Sequence, residues 1–267
     1  MDELKQKAKE LLEKQQVAVI IGYAEGTAGR TRAVFALKPE DSEKLIFDER
    51  CKQNLAVYLM KHEVKHLGRR GIVATIPVMR SILQVASEYQ LTEADVHVLG
   101  ITPEGKLIEF DGFKPMEHWL SGQDVGLSAG EKDELAKLDG MSMEEKWAYW
   151  KDELSRCIKC YACRAACPMC YCIRCFVESN RPQWIPIAAN DLGSFEWHIL
   201  RAMHLAGRCI NCGECGRACP VDIPIHLLTF KGVMDVEADF GVTAGLDAGM
   251  ESLLSSFKPN DKENFIR

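Results

Sequence analysis

The sequence predicts an α/β domain with a mainly parallel sheet and helices on both faces, followed by a separate cysteine-rich domain. Strand-like and helix-like segments alternate over residues 1–120, as they do in parallel sheets that are covered by helices. Residues 121–142 are rich in glycine and polar side chains, which is typical of a domain boundary. Eleven of the 12 cysteines lie between Cys157 and Cys219. A chain of 267 residues is long enough for two such domains.

The elements of the α/β domain follow from local patterns. A polar helix is predicted at residues 2–16, and buried strands are predicted at residues 17–22, 31–37, 71–76 and 96–101. Asn54 is expected to cap a helix that runs to about Leu67. Pro77 is expected to open another helix that runs to about Tyr89, because proline is tolerated at the first helical position.

A further helix is predicted to lead into the cysteine-rich domain. The segment MEEKWAYWKDELSR places Trp147, Trp150 and Leu154 on one helical face, directly before Cys157. We interpret these side chains as packing for the cysteine-rich domain. The predicted organisation is a docking domain at 1–120, a linker and helix at 121–150, the cysteine-rich domain at 151–230 and a C-terminal arm at 231–267.

The C-terminal segment from about Lys231 has too few apolar residues for a core of its own. It is predicted to be an arm that binds a partner protein, with a frayed tail as the alternative. The side chains expected to contact a partner are Leu253, Leu254, Phe257, Phe265 and Ile266.

Composition excludes several classes of function. The net charge is -6, which argues against a nucleic-acid-binding protein. The N-terminus is charged, and the longest apolar run is VAVII, so we expect a cytoplasmic chain without a membrane span of its own. Without a signal peptide, clustered cysteines indicate metal ligation more than disulfides. No Cys-x-x-Cys-His motif occurs, so covalently bound haem is not indicated.

The cysteine motif C-x-x-C-x-x-C-x-x-x-C-P occurs twice. In such motifs three thiolates wrap around one 4Fe-4S cluster, and the thiolate before proline ligates the other cluster. The first predicted cluster is held by Cys157, Cys160, Cys163 and Cys219. The second is held by Cys209, Cys212, Cys215 and Cys167. Zinc explains this pattern less well, because zinc sites pair two Cys-x-x-Cys hooks a dozen or more residues apart.

The cysteine-rich segment resembles a known family. Its duplicated motif is separated by a long insertion, and the helix SFEWHILRAMHLAGRC runs straight into the second motif. This is similar to the α-helical ferredoxin domain of heterodisulfide reductase small subunits and of fumarate reductase iron-sulfur subunits. The resemblance implies a helical domain at residues 151–230 that passes single electrons between redox partners.

The N-terminal segment resembles the β subunits of deazaflavin-coenzyme-dependent hydrogenases and formate dehydrogenases. The similar segments are AVIIGYAEG, DERCKQNLAVYL and GIVATIPVMRSIL. The resemblance implies a flavin, but Val78 stands where that family has a cysteine, so a bound flavin is not favoured here.

Four cysteines remain after the two motifs are assigned, namely Cys51, Cys170, Cys172 and Cys175. Four is the number that a third 4Fe-4S cluster requires, and this is the interpretation we favour. A four-thiolate zinc site is the next alternative. A cluster with an open or non-cysteine fourth position, or four free thiols, also fits the count.

These observations together predict an electron-transfer subunit, itself non-catalytic, of an anaerobic redox complex. Its expected partners are other redox subunits, such as a flavoprotein, a hydrogenase, a dehydrogenase or a protein like heterodisulfide reductase. The alternative is a flavin-containing oxidoreductase subunit that oxidises a reduced deazaflavin or nicotinamide cofactor. The donor, the acceptor and the cluster potentials do not follow from the sequence.

Overall fold

The computed structural model describes residues 2–179 and 182–253. The chain divides into two compact units. The N-terminal unit contains residues 1–125 and 245–250, and the cysteine-rich unit contains residues 126–244 together with those after 250.

The N-terminal unit alternates short helices with five strands. Its elements are α1 (Asp2–Glu13), β1 (Val19–Glu25), β2 (Thr31–Ala36), α2 (His62–Lys65), β3 (Arg70–Ala74), α3 (Ile76–Ser87), β4 (Val96–Ile101), β5 (Leu107–Glu109) and α4 (Phe113–Ser121). Three short 3-10 helices lie at Pro39–Lys44, Leu55–Met60 and Glu93–Asp95. The predicted strands therefore form, with boundaries shifted by a few residues.

The sheet has the order β2-β1-β3-β4-β5 and is mixed, whereas a mainly parallel sheet was expected. Strands β1, β3 and β4 are parallel, with Ile72 paired to Ile21 on one side and to Val98 on the other. Both edge strands, β2 and β5, are antiparallel to their neighbours. The reason is the length of the connections, because a turn of a few residues permits only an antiparallel hairpin. Gly29 and Gly105 supply positive φ angles of 70° and 79° in these turns.

The helix expected from Asn54 to Leu67 is divided in the structure. Asn54 does act as a cap, since its Oδ1 accepts a hydrogen bond of 3.2 Å from Ala56 N. A 3-10 helix follows, and Lys61 then adopts an extended backbone before α2 begins. Burial of Leu55, Ala56, Val57 and Leu59 shows that packing on several sides, and not one amphipathic face, determines this segment.

The core of the N-terminal unit is aliphatic and complete. Side chains of the three parallel strands are almost wholly inaccessible to solvent, and α3 covers them with Val78, Met79 and Ile82. The fully buried strand residues include Ile20, Ile21, Ile72, Val73 and Leu99. Strands that are buried on both faces are expected to carry such continuous apolar runs.

The cysteine-rich unit is entirely helical over the residues that the structure describes. Its helices are α5 (Ala129–Asp139), α6 (Met143–Ser155), α7 (Ala162–Ala165), α8 (Asp191–His204), α9 (Glu214–Arg217) and α10 (Ile225–Phe240). Helix α5 lies where a linker was expected. Its sequence signal is a capping box, in which Ser128 Oγ accepts from Glu131 N at 3.3 Å and Ser128 N donates to Glu131 Oε2 at 2.8 Å.

The core of the cysteine-rich unit is small and includes cysteines. Leu154 of α6, Trp197 of α8 and Ile225 of α10 are buried there together with Cys163, Cys215 and Cys219. Trp150 packs partly buried against this core. Trp147 is 57% exposed and packs on Phe195, with ring centroids 4.7 Å apart.

The predicted C-terminal arm is partly helical in the structure. Residues from Lys231 onward continue α10 as far as Phe240, so this portion is an ordered helix and not a frayed tail. Residues 245–250 belong to the N-terminal unit, where Gly245 N donates to Gln84 Oε1 at 3.0 Å. Leu254, Phe257, Phe265 and Ile266 lie outside the described residues.

None of the helices in the described part of the chain combines the length and the apolar character that crossing a membrane would require.

Candidate metal centre

The two cysteine motifs adopt the same backbone conformation. Lys159 and Tyr161 have positive φ angles of 49° and 59°, and the equivalent positions of the second motif, Asn211 and Gly213, have 48° and 72°. For residues other than glycine this left-handed conformation is costly and is found mainly at functional sites. The repeated turns wrap each loop so that its successive cysteines face a common interior.

A one-turn helix follows in each motif, and these helices, α7 and α9, pack against each other. Cys163 lies on α7 and Cys215 on α9, and each thiol is buried. The fourth cysteine of each motif follows the helix, with Cys167 N donating to Arg164 O at 3.2 Å and Cys219 N donating to Gly216 O at 3.0 Å. The duplication seen in the sequence is therefore also a duplication of structure.

The four cysteines assigned to the first cluster line one cavity. Cys157, Cys160 and Cys163 come from the first motif, and Cys219 reaches the same cavity from the second. Its other walls are mostly apolar side chains, including Tyr161, Trp197, Ile223 and Ile225. The cavity is thus a space between four sulfurs that is largely shielded from water.

Hydrogen-bond donors point at the sulfurs of this cavity. Lys159 N donates to Cys157 Sγ at 3.4 Å, and Ile223 N donates to Cys219 Sγ at 3.4 Å. His198 Nε2 lies 3.3 Å from Cys157 Sγ. Burial lowers the pKa of His198 to about 3, so the imidazole is neutral, and its Nε2 can donate a hydrogen bond to a Cys157 thiolate.

The cysteines assigned to the first cluster are called the first set, and those assigned to the second cluster, Cys209, Cys212, Cys215 and Cys167, the second set. The second set has no exposed member, whereas Cys160 of the first set is exposed. Burial raises the pKa of Cys209 to about 12, and the charges of Cys212 and Cys215 act in the same direction. The pKa of Cys167 is also raised, through its hydrogen bond to Cys170, burial and the nearby charge of Cys212. These mutual effects show that the four thiols lie within electrostatic range of one another. Thiols in such surroundings become thiolates only when a cation or a metal cluster compensates their charge.

The surplus cysteines of the loop between the motifs lie together. Cys170, Cys172 and Cys175 line a cavity of about 340 Å³ that also contains Arg164, Arg174 and Arg201. A hydrogen bond from Cys167, together with the charges of Arg201 and Arg208, lowers the pKa of Cys170 to about 6. The loop therefore presents three thiols in positively charged surroundings.

Cys51 belongs to the N-terminal unit. Its thiol is buried and accepts a hydrogen bond from Asp48 N at 3.5 Å, and burial raises its pKa. It lines an open cavity of about 610 Å³ next to Thr75 and Thr102, which follow β3 and β4. Crevices at the carboxyl ends of parallel strands are where α/β sheets usually bind ligands. This cavity contains four carboxylates, and no lysine or arginine is found among its described lining residues.

None of the 12 cysteines, all of which lie within the described residues, forms a disulfide. Within residues 2–179 and 182–253, no three His, Cys, Asp or Glu side chains are grouped as a site for a single metal ion. The four ligands of an iron-sulfur cube bind its separate corners and do not converge on one ion. The site expected for such a cluster is therefore a cavity between four sulfurs.

The surroundings of Arg201 in α8 indicate whether an anionic cluster fits this unit. The residue is 3% exposed, its Nη2 donates to Cys163 O at 3.1 Å, and its Nε has no hydrogen-bond partner. Among the described residues, no carboxylate forms an ion pair with it. A buried cation without a counter-ion costs several kcal/mol. The residues therefore fit thiolate-bound clusters, whose negative charge would compensate Arg201.

Sequence analysis did not identify the residues around the sulfurs. His198 and Arg201 were assigned no role, although the spacing of three residues places both on one face of α8 with Trp197. Lys159 was likewise missed, and its Nζ donates to Pro186 O. The available signal was the presence of polar residues on the buried face of a helix that leads into a cysteine motif.

Comparison with known proteins agrees with this geometry. Residues 153–223 match the family model of the 4Fe-4S dicluster domain. The chain is 35% identical over 113 residues to the F420-dependent formate dehydrogenase subunit beta of Methanocaldococcus jannaschii. The aligned region covers 42% of this chain and 28% of that protein. The chain is 30% identical over 108 residues to the F420-dependent formate dehydrogenase 1 subunit beta of Methanococcus maripaludis, covering 39% of this chain and 27% of that protein.

The chain thus matches less than a third of the length of these relatives. Both resemblances inferred from the sequence are nevertheless confirmed. Residues 153–223 are similar to the 4Fe-4S dicluster domain, and the chain is similar to the beta subunits of F420-dependent formate dehydrogenases.

Proposed function

We propose that this chain is an electron-transfer subunit of an anaerobic redox complex and relays single electrons through two 4Fe-4S clusters. The observation that carries the proposal is the cavity lined by the first set of cysteines. Cys219 lines it together with Cys157, Cys160 and Cys163, although it is distant from them in the sequence. Crossed ligation of this kind is the arrangement of two-cluster ferredoxins.

The clusters, when bound, supply the one-electron chemistry, and the protein supplies their surroundings. Trp197, Ile223 and Ile225 exclude water from the first set. The donors on Cys157 and Cys219 favour the more negative state of a cluster, since hydrogen bonds to sulfur stabilise charge there. Cys160 is exposed, which gives the first set a corner at the surface where a partner can exchange electrons.

A third cluster is proposed at Cys170, Cys172 and Cys175, with Cys51 as its fourth ligand. The proposal is supported by the cavity that the three loop cysteines share and by its arginines, which suit an anionic cluster. Cys172 is exposed, so this site too has a side that faces solvent. A four-thiolate zinc site on the same residues is the rival chemistry.

The proposed partners are other redox subunits, which carry the substrate chemistry. The names of both relatives support an oxidoreductase complex, because each is a subunit of a formate dehydrogenase. Formate as the substrate of this chain's own complex is not part of the proposal.

The second candidate is a flavin-containing subunit that oxidises a deazaflavin or nicotinamide cofactor. The large cavity of the N-terminal unit and the coenzyme named in both relatives favour it. The four carboxylates of the cavity, Glu3, Asp48, Glu49 and Glu104, oppose it because they would repel a phosphate. A flavin spectrum after anaerobic purification would establish this candidate.

The central test is the stoichiometry of iron, sulfide, zinc and flavin after anaerobic purification. About twelve irons per chain are expected with three clusters, and about eight irons with one zinc under the rival chemistry. Iron well below eight per chain would contradict the proposed function.

The fourth ligand of the third site is tested by Cys51→Ser, which should remove about four irons and leave two clusters intact. Cys219→Ser is the matched comparison, because it should remove about four irons from the first set instead. Unchanged iron in Cys51→Ser would show that Cys51 is not a ligand.

A further inference from the structure

Arg201 lies between cysteines that belong to different predicted clusters. Its Nη2 donates to Cys163 O of the first set at 3.1 Å, and its side chain lines one cavity with Cys170, whose N donates to Cys167 O of the second set at 3.1 Å. The guanidinium also acts electrostatically on these three cysteines and on Cys215. Burial has the largest effect on the pKa of Cys163 and Cys215, and the hydrogen bond between Cys167 and Cys170 has the largest effect on the pKa of those two thiols. The charge of Arg201 lowers the pKa of all four.

The position of Arg201 is fixed by its surroundings. It is 3% exposed, its Nη2 donates to Cys163 O at 3.1 Å, and its guanidinium carbon lies 5.9 Å from the Trp197 ring centroid. Burial lowers the pKa of Arg201, but the nearby cysteines, once ionised, raise it above its usual value. The guanidinium therefore remains charged at any physiological pH.

Other arginines of the unit are placed differently. Arg164 pairs with Glu178 at 2.9 Å, and Arg217 pairs with Glu214. Their charges are already compensated by carboxylates within the protein. Among the described residues, Arg201 has no carboxylate partner, so its charge is available to the sulfurs.

We propose that Arg201 is a shared charge-compensating residue that raises the reduction potentials of both 4Fe-4S clusters together. The inference rests on the proposed function, since it requires both clusters. Each electron that arrives at either set adds one negative charge near the same guanidinium. A fixed positive charge in a water-poor interior stabilises that added charge at both sets.

His198 provides the contrast that makes this proposal specific. It lies one helical turn before Arg201 on α8, but its Nε2 contacts Cys157 Sγ of the first set alone, at 3.3 Å. Removal of this donor should affect one cluster, whereas removal of the Arg201 charge should affect two.

The test is a redox titration of the anaerobically purified full-length chain, monitored by electron paramagnetic resonance. Arg201→Gln removes the charge, and Arg201→Lys keeps it. In Arg201→Gln, we expect the reduced-to-oxidised ratio of both clusters at a fixed potential to fall at least tenfold, which is 59 mV for one electron. Arg201→Lys should stay close to wild type, and His198→Leu, which removes the donor, should shift the first cluster only.

Equal shifts in Arg201→Lys and Arg201→Gln, or a shift of only one cluster in Arg201→Gln, would overturn the proposal. If Arg201→Gln is purified without iron, reconstitution of the clusters in both Arg201 variants tests the proposal instead. Full reconstitution of Arg201→Lys beside failure of Arg201→Gln supports the role of the charge, and failure of both contradicts it. Wild-type iron below about eight per chain would instead overturn the proposed function.

Discussion

Each unit of the molecule buries an arginine, and the two arginines are compensated in different ways. Arg70 of β3 is 2% exposed and forms an ion pair with Asp95 Oδ1 at 3.5 Å. Arg201 of α8 is 3% exposed and, among the described residues, has thiols around it in place of a carboxylate. The N-terminal unit balances its buried charge with its own side chains. The cysteine-rich unit is balanced only when its thiols are thiolates bound to a cluster.

The hydrophobic cores of the two units also differ in whether they depend on a bound group. The sheet of the N-terminal unit is packed by aliphatic residues that are almost wholly inaccessible. The main core of the cysteine-rich unit counts three cysteines among its nine buried members. Apolar burial stabilises the first unit without any ligand, whereas the second is expected to depend on what its cysteines bind.

The largest expected effect is the response to removal of iron by an anaerobic chelator. Amide protection in α8 should fall about 100-fold or more, because an uncompensated buried charge costs about 3–5 kcal/mol. Protection of β3 and β4 should not change, since their core needs no metal. Hydrogen exchange followed by mass spectrometry measures both regions in one sample. Equal loss in α8 and in the sheet would refute the contrast between the units.

The next largest effect is expected on the stability of the N-terminal unit when the sheet is weakened and the clusters are left unchanged. Ile72→Ala deletes a fully buried side chain of β3 and should cost about 2–5 kcal/mol of unfolding free energy in the N-terminal unit. Iron content should remain at the wild-type value. Val177→Ala, at a buried position of the cysteine-rich unit, is the matched control, and there the iron content should become sensitive to denaturant.

The smallest effect concerns the ion pair of Arg70. Asp95→Asn leaves this guanidinium without its carboxylate and should cost about 1–3 kcal/mol, toward the lower end because Asp95 is 43% exposed. Burial raises the pKa of Asp95, but hydrogen bonds from Thr92 and the charge of Arg70 outweigh it and lower the pKa below its usual value.

The pH dependence of this pair follows from that direction. A lowered carboxyl pKa gives stability that is present above the ordinary aspartate pKa and is lost as pH falls through the folded-state pKa. Urea unfolding should therefore separate wild type from Asp95→Asn at pH 7, and the difference should shrink toward pH 3. A difference that is constant with pH would exclude an electrostatic origin.

Some features could be predicted because they are local. The spacing of Cys157, Cys160 and Cys163 already indicates a loop around a cluster, and Asn54 acts as a cap at the expected position. The sheet was expected to be mainly parallel, and strand β5 was not predicted. The antiparallel direction of β2 was missed because the apolar pattern does not depend on strand polarity. Short connections after β1 and β4 would have revealed the hairpins. Helix α5 was missed although Ser128 and Glu131 form a capping box.

The sequence by itself determined the chemistry of this protein, because cysteine number and spacing restrict which metal groups a chain can bind. The tertiary structure alone decided which charges and hydrogen bonds surround those cysteines. His198 reaches Cys157 Sγ and Arg201 reaches Cys163 O from α8, which is distant from both cysteines in the chain, and only packing brings them there. Their effect depends on distance and burial, since electrostatic interactions strengthen where water is excluded.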